Sequence, residues 1–427
     1  MWMRKAARHR RATKKAAETR PSAGLWGVVM LALCVLAASL GTSAANVALP
    51  ELTAWSGGSY GHAQWVVTAY VLAMTAASLL VGRLGDIFGR ERVLRMALAL
   101  FVVAALVAAM APTLGVLAAA RAVQGIGAAA MITLPLAIAK DSVEPERTGS
   151  VMGLLGTATA AGTAAGPAIG GVLLGIGGWP TVFLAMIPLP VAALLVGLVV
   201  GGSRQRRRPS ESGDEQATEP RGLLATGAGL NLIVGMVMMS TLVIGPYFLT
   251  GALGLGPGQV GLVMAVAPVT SIFAGALAGS LVDRGDAARL VPLGLGIMVI
   301  GAIALALLPS VLGVFGYLVG TVTLAPGYQL FMAANNTQIM SGVSAVFRGT
   351  ASGVLGLSRN LGLLAGTLVL GSLFAAIATN GEVSLPAPEQ LEMGMRVTFG
   401  GAAAILAMAA LSARWVATNR RTFSRAR

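Results

Sequence analysis

Acidic side chains are scarce in this sequence, and scarcest where the apolar runs are longest. The chain has 427 residues, with 16 Asp or Glu against 30 Lys or Arg. Each acid lies in a tail, a short polar turn or the end of an apolar run. The middle of such a run therefore offers no carboxylate to bind a cation or carry a proton. Cysteine occurs once, as Cys34 inside the first apolar run, which rules out an internal disulfide and a structural Cys-based zinc site. His9 and His62 are the only histidines, so no His-based metal site and no catalytic dyad is expected, and no cofactor. A Gly-rich loop ending in Lys-Ser or Lys-Thr is missing, so ATP is not expected to drive the protein directly. Charged residues make up 11% of the chain, against about 25% in soluble domains.

What fills the chain instead is apolar and small. Hydrophobic residues are 56% of it, the mean hydropathy is +0.80, and there are 57 glycines. Such a chain would aggregate in water, so a lipid bilayer is its expected solvent. Small residues then let helices approach closely, because packing drives helix association in lipid. A helical span needs about 20 apolar residues. The first run is Leu25 to Val47, too long for the apolar core of a signal peptide. It is followed by Trp65–Leu84, Val93–Met110, Leu114–Ile138, Met152–Ile176 and Val182–Val200. Ser203–Arg221, rich in Arg, Glu, Ser and Pro, reads as a linker. Further runs are Leu223–Leu249, Val260–Val282, Leu290–Leu308, Val311–Met332, Ala351–Ile377 and Val397–Val416. The expected fold is an all-α polytopic membrane protein with about twelve transmembrane helices in two pseudo-symmetric six-helix bundles. The bundles would be residues 23–202 and 223–418, joined by 203–222 and flanked by basic tails at 1–22 and 419–427.

The net charge of +14 would suit nucleic acid if it were gathered on a soluble domain. It is not. With the N-terminus placed in the cytoplasm, the basic tails, the turn at Asp86, Lys140 and Arg147, Arg206–Arg208, Arg284 and Arg289, and Arg348 all fall inside. Outside segments receive essentially only Arg396. This is the positive-inside pattern of a multi-pass protein of the cell membrane, with both termini cytoplasmic.

Several short stretches carry more than topology. Gly82-Arg-Leu-Gly-Asp-Ile-Phe-Gly-Arg-Glu-Arg92 packs charges between two apolar runs, and Gly82, Gly85 and Gly89 are expected to let backbones come close. A fainter copy, Gly279-Ser-Leu-Val-Asp283 through Arg289, recurs near half the chain length away. A carboxylate held by arginines can latch two helix ends in one packing and release them in another. Gly82, Asp86, Gly89, Arg90 and Asp283 are the latch candidates. Arg121 lies inside an apolar run, where an arginine is costly and usually faces a cavity or partner; Gln124 shares its face. Arg359 and Asn360 are the other deep polar pair, nearer the cytoplasmic end, and Asn46 closes the first run. These five residues are the candidates for a substrate or proton pathway. Gly162, Gly166 and Gly170 form a smooth helix stripe beside Pro167, which favours a kink. Three other patterns lack their structural context: Gly57–Gly61 for a hydrolase elbow, Gly256–Gly261 for a dinucleotide loop, and Asn335–Thr337 for glycosylation.

Taken in order, the Asp86 turn, Arg121-Ala-Val-Gln124-Gly125, Gly162–Gly171 and Asn46-Val-Ala-Leu-Pro50 resemble the signature stretches of the major facilitator superfamily, and within it the drug/proton antiporters. The resemblance covers nearly the whole chain. It implies a secondary transporter that exports small amphipathic compounds by alternating access in exchange for protons, without cofactor or catalysis. A monomer is expected, though the sequence does not set the oligomeric state. Uptake or exchange of a metabolite, or a membrane sensor or scaffold that moves nothing, are the alternatives. One position departs from the 14-span drug antiporters, which it otherwise resembles: where they typically carry an Asp in the first span, this chain has Gly41. The extra central pair of spans is also missing. Neutral, zwitterionic or anionic substrates, with Arg121 as central contact or gating partner, are therefore expected in place of dications.

Overall fold

A computed structural model describes residues 25–57, 60–142, 145–200, 221–343, 348–379 and 387–425. The basic N-terminal tail and all of the linker but Arg221 lie outside them, as do the side chains of Lys140, Arg147 and Arg348. Helices fill almost everything described. They are α1 (Leu25–Val47), α2 (Tyr60–Phe88), α3 (Arg90–Ala109), α4 (Leu114–Ser142) and α5 (Pro145–Gly177). Next comes α6, in two pieces, Trp179–Leu184 and Pro188–Val200. In the second half, α7 (Arg221–Tyr247) widens into a π turn at Phe248–Ala252, directly after Pro246, where a backbone donor is missing. Then follow α8 (Pro257–Arg284), α9 (Ala287–Leu307) and α10 (Val314–Gly342). The last two are α11, from Arg348–Ala365 through a π turn at Gly366–Leu370 to Gly371–Thr379, and α12 (Pro388–Arg425).

Among the described residues, 11 helices are long and apolar enough to cross a membrane. The expected span at Val311–Met332 is α10, a helix of 29 residues that is not among them. Its Thr321, Thr323, Gln329, Asn335 and Asn336 dilute its apolar character. It is nonetheless well packed, lying against both α8 and α9.

The packing repeats between halves. α1 packs on α5 as α7 packs on α11; α2 on α4 as α8 on α10; α3 on α4 and α6 as α9 on α10 and α12. Small residues set these distances. A Cβ on Gly294 would lie 2.6 Å from the Phe331 nitrogen, and one on Gly301 would lie 2.7 Å from that of Leu324, so α9 and α10 run nearly backbone to backbone. Several pairings cross between halves. Those of α5 with α8 and α2 with α11 are the most extensive; α7 also meets α1 and the short helix Leu49–Ser56 that follows it, while α8 touches α1. Successive helices alternate in direction, which gives the molecule two ends. One carries the α2–α3 turn at Asp86; the other carries Trp179 at the start of α6.

Candidate functional site

Arg121 sits on α4 with none of its surface exposed. Among the described residues no carboxylate meets it. Its Nε donates to the Val66 carbonyl at 3.3 Å, one terminal nitrogen to Gln124 Oε1 at 2.6 Å and the other to the Gly41 carbonyl at 3.0 Å. The Tyr70 ring lies under the guanidinium, 4.0 Å from its centroid, and Phe183 is 5.9 Å away. Neutral dipoles and a π face thus stand in for a counter-ion. Gly41, in the position of the family's aspartate, is part of this cage, and a Cβ there would meet the Phe101 ring at 2.9 Å. Arg121 is expected to face a cavity or a partner; here it faces partners, the Val66, Gly41 and Gln124 acceptors and the Tyr70 ring. Gln124 is equally enclosed and donates to Met186 Sδ at 3.6 Å. Asn46 is also buried, its Nδ2 spent on the carbonyls of Thr42 and Ser43 and its Oδ1 unpartnered.

The Asp86 turn lies open. Asp86 is 65% exposed and pairs with Arg90 of the same turn at 3.0 Å. Arg90 also donates to the Ala137 carbonyl, which ties the turn to α4. The three glycines differ from expectation. Gly85 alone makes a close approach, since a Cβ there would lie 3.0 Å from a Leu134 methyl; a Cβ on Gly82 would meet nothing within 4 Å. Gly89 also has space but holds φ at +90°, which glycine tolerates and which lets the chain turn from α2 into α3. In the second half Asp283 is exposed and makes no ion pair among the described residues. Asp286 takes that place: it caps α9 by accepting from the Ala288 nitrogen at 3.0 Å and lies 3.6 Å from Arg289. An Asp immediately ahead of an apolar helix is the signal that could have found it.

The glycine stripe has two faces. Gly162 lies against the Leu36 carbonyl, Gly166 against Ser43, and Gly170 against the Ala44 carbonyl, all on α1. Pro167 and Gly171 face the other way, where the Pro167 carbonyl and the Gly171 backbone meet Gly261 of α8. This crossing joins the halves near the Trp179 end. Two side-chain bridges join them there too. The Tyr247 hydroxyl of α7 donates to the Leu49 carbonyl at 3.1 Å and pairs with Thr53 at 2.7 Å. Gln64 of α2 donates to the Thr367 carbonyl of α11. Beside them Glu51 accepts from the Trp179 nitrogen at 3.0 Å, and the Trp55 and Trp179 rings lie 4.8 Å apart. Sequence reasoning missed Tyr247, Thr53, Gln64 and Thr367, because bridges to backbone carbonyls leave no pattern in the chain.

A second polar seam runs between α7 and α11. Asn231 donates to the Leu355 carbonyl at 2.8 Å and to the Ser358 hydroxyl at 3.2 Å. Arg359 is half-buried and has no hydrogen bond or ion pair among the described residues; its Nε is buried without a partner. The amide oxygens of Asn231 and Asn360 are likewise buried and unpartnered. Two of the three unassigned patterns fall at helices: Gly256 opens α8 with Gln259 accepting from its nitrogen, and Asn335 is buried in α10; the Gly57–Gly61 pattern lies partly outside the described residues.

The sequence and the fold both have relatives. A family model described as Major Facilitator Superfamily matches residues 31–367. The riboflavin transporter RibZ of Clostridioides difficile is 25% identical over 82% of this chain and 89% of its own length. The methylenomycin A resistance protein of Bacillus subtilis is 35% identical over 42% of this chain and 38% of its own. Among solved structures, an inward-facing, unoccupied bacterial homologue of the human lysosomal transporter Spinster superimposes with a TM-score of 0.72. It is 18% identical and covers 93% of this chain and 98% of its own. A D-xylose–proton symporter gives a TM-score of 0.71 at 15% identity, covering 91% and 96%.

Proposed function

The chain belongs to the major facilitator superfamily, and on that premise we propose that it exports small amphipathic compounds by alternating access, driven by a proton gradient. One observation carries the proposal: α5 is seated through small residues on α1 by one face and on α8 by the other. A helix so placed can keep its own half rigid while its second face parts from the opposite half. Small residues make that parting cheap, because little side-chain interlocking has to be undone. The contacts between halves at the Trp179 end and the exposed Asp86 at the other are the arrangement of a transporter open toward the Asp86 end. With basic residues marking the cytoplasm, that end faces inward, both termini are cytoplasmic, and residues 23–202 and 223–418 are the rocking units.

In this reading Asp86 and Arg90, with Gly82 and Gly89 beside them, close against the second half when the molecule opens outward, and Asp283 marks the matching turn. Arg121 and Gln124 hold α4 to α1 and α2, and Asn46 lies beside them at the end of α1. The resistance proteins among the relatives favour export; the riboflavin transporter, similar along most of the chain, favours a second reading, transport of a metabolite.

The test is flux in proteoliposomes holding the purified full chain and an internal pH dye, with a pH gradient imposed and a compound panel added. Compound-dependent proton movement is expected from the wild type, and at a small fraction of that rate from Asp86→Asn at equal reconstitution. Compound movement indifferent to the gradient would remove proton coupling, and wild-type turnover by Asp86→Asn would reduce the turn to a topology signal.

A further inference from the structure

The two halves are alike in packing but not in charge: Arg121 of α4 has no charged counterpart on α10, and the α7–α11 pair differs from the α1–α5 pair as well. In the first half Gly162 of α5 lies against the Leu36 carbonyl and Ser39 of α1. In the second, Gly362 of α11 lies against the Leu232 carbonyl and Gly235 of α7. This match sets the register between the pairs. By it Arg359 corresponds to Thr159, Asn360 to Ala160 and Asn231 to Val35. Thr159 is satisfied within its own helix by the Leu155 carbonyl at 2.9 Å, and Val35 is buried hydrocarbon. The helix pair can therefore be built without charge. The second half nevertheless carries a guanidinium there.

That guanidinium is also unspent. Arg121, the other arginine deep in a span, uses all three of its nitrogens. Arg359 uses none: Nε is buried without a partner, and the terminal nitrogens reach accessible surface without one. Its helix, α11, packs on α7 and also meets α2 of the opposite half. The Gln64–Thr367 bridge lies eight residues further along α11, about 12 Å toward the Trp179 end. Arg359 is thus on the Asp86 side of that bridge, on the segment Arg348–Ala365 that itself meets α2. Its backbone is fixed by the close approach of Gly235, where a Cβ would lie 3.0 Å from the Arg359 carbonyl, and by Asn231 binding the preceding turn. A fixed, unpaired cation in an apolar bundle is costly, and an anionic ligand group is the partner that offsets it.

We propose that Arg359 is the anion-recognising group of a substrate site on α11, and that the compounds carried are amphipathic organic anions. The charged head meets Arg359, and the body lies against the first half, whose equivalent positions, Val35, Thr159 and Ala160, carry no charge. This rests on the chain being a transporter, and it moves substrate recognition from the enclosed Arg121 to Arg359.

The experiment is equilibrium binding to the full chain in nanodiscs, with empty nanodiscs subtracted. The probes are three naphthalene compounds of one shape: 2-naphthoate, neutral 2-naphthamide and (2-naphthylmethyl)trimethylammonium. Wild type is expected to prefer the carboxylate over the amide by about tenfold or more, the scale of a charge-assisted hydrogen bond, and to bind the cation least. Arg359→Gln should abolish that preference, with an unchanged apparent melting temperature showing that the variant is folded; Arg359→Lys should restore part of it. Equal binding of carboxylate and amide by wild type, or a carboxylate preference kept in Arg359→Gln, overturns the inference. The two proposals fail separately. Arg359-dependent binding without proton-driven flux refutes export, whereas flux confined to cations and untouched by Arg359→Gln refutes the anion site.

Discussion

At the scale of single residues, Arg121 shows how a bilayer-buried charge is held without an acid. Three acceptors on three helices each take one N–H, and the Tyr70 face takes the remaining field. Removing the side chain leaves the carbonyls of Gly41 and Val66 without their buried donors. Arg121→Met should therefore cost on the order of 3 kcal/mol or more of stability, read as a clear fall in apparent melting temperature in detergent. Arg121→Lys should lie between, since one ammonium cannot reproduce a planar fork aimed at three acceptors. A melting temperature equal to wild type for the Met variant would mean that the cage is not a stabilising contact. Gly41 belongs to the same argument. The Phe101 ring and the Tyr70 hydroxyl already crowd its Cα, so the aspartate of the resembling antiporters has no room here as packed.

At the scale of elements, α5 is the helix on which the halves meet. Its register on α1 leaves no space for a side chain at Gly166, where any Cβ would run into Ser43. Gly166→Leu must push α1 and α5 apart. Overpacking of this kind typically costs about 1–3 kcal/mol, enough to shift a two-conformation balance by roughly tenfold. Transport by Gly166→Leu is expected to fall strongly, or to uncouple into leak, at near-normal expression. Normal coupled flux would show that this interface tolerates separation. The same helix illustrates what sequence reading reached: the stripe at 162, 166 and 170 was legible from its spacing. That Pro167 and Gly171 serve a different neighbour was not, because spacing describes one helix and not what surrounds it.

At the scale of the molecule, the contacts between halves at the Trp179 end make a concrete prediction about motion and orientation. With Cys34 replaced by Ala, the pair Gln64→Cys and Gly371→Cys lies across the α2–α11 contact, where Gly371 already touches the Gln64 amide. A short bifunctional thiol reagent should link them and stop transport, and single-cysteine controls should keep it. In intact cells, an impermeant thiol reagent should label Ser59→Cys and Asn380→Cys but not Ser212→Cys. Transport that survives full cross-linking would argue against rocking at this contact, and labelling of Ser212→Cys from outside would invert the orientation.

Hydropathy is a sum over neighbouring residues, so the apolar helices and their order were written in the sequence by itself. The exception is instructive: α10 keeps its place by packing against α8 and α9 although Asn, Gln and Thr dilute it. The Asp86 turn and the glycine stripe were legible for the same reason, since each is a local pattern. Only the tertiary structure decided which charge is spent. In the sequence Arg121 and Arg359 differ in depth, Arg359 lying nearer the cytoplasmic end, but each is a lone arginine in an apolar run with an amide nearby. Arg121 is satisfied by carbonyls 55 and 80 residues away, and backbone carbonyls occur at every position, so nothing in the sequence marks those two. Arg359 finds no such partner, and that difference comes entirely from how the helices pack.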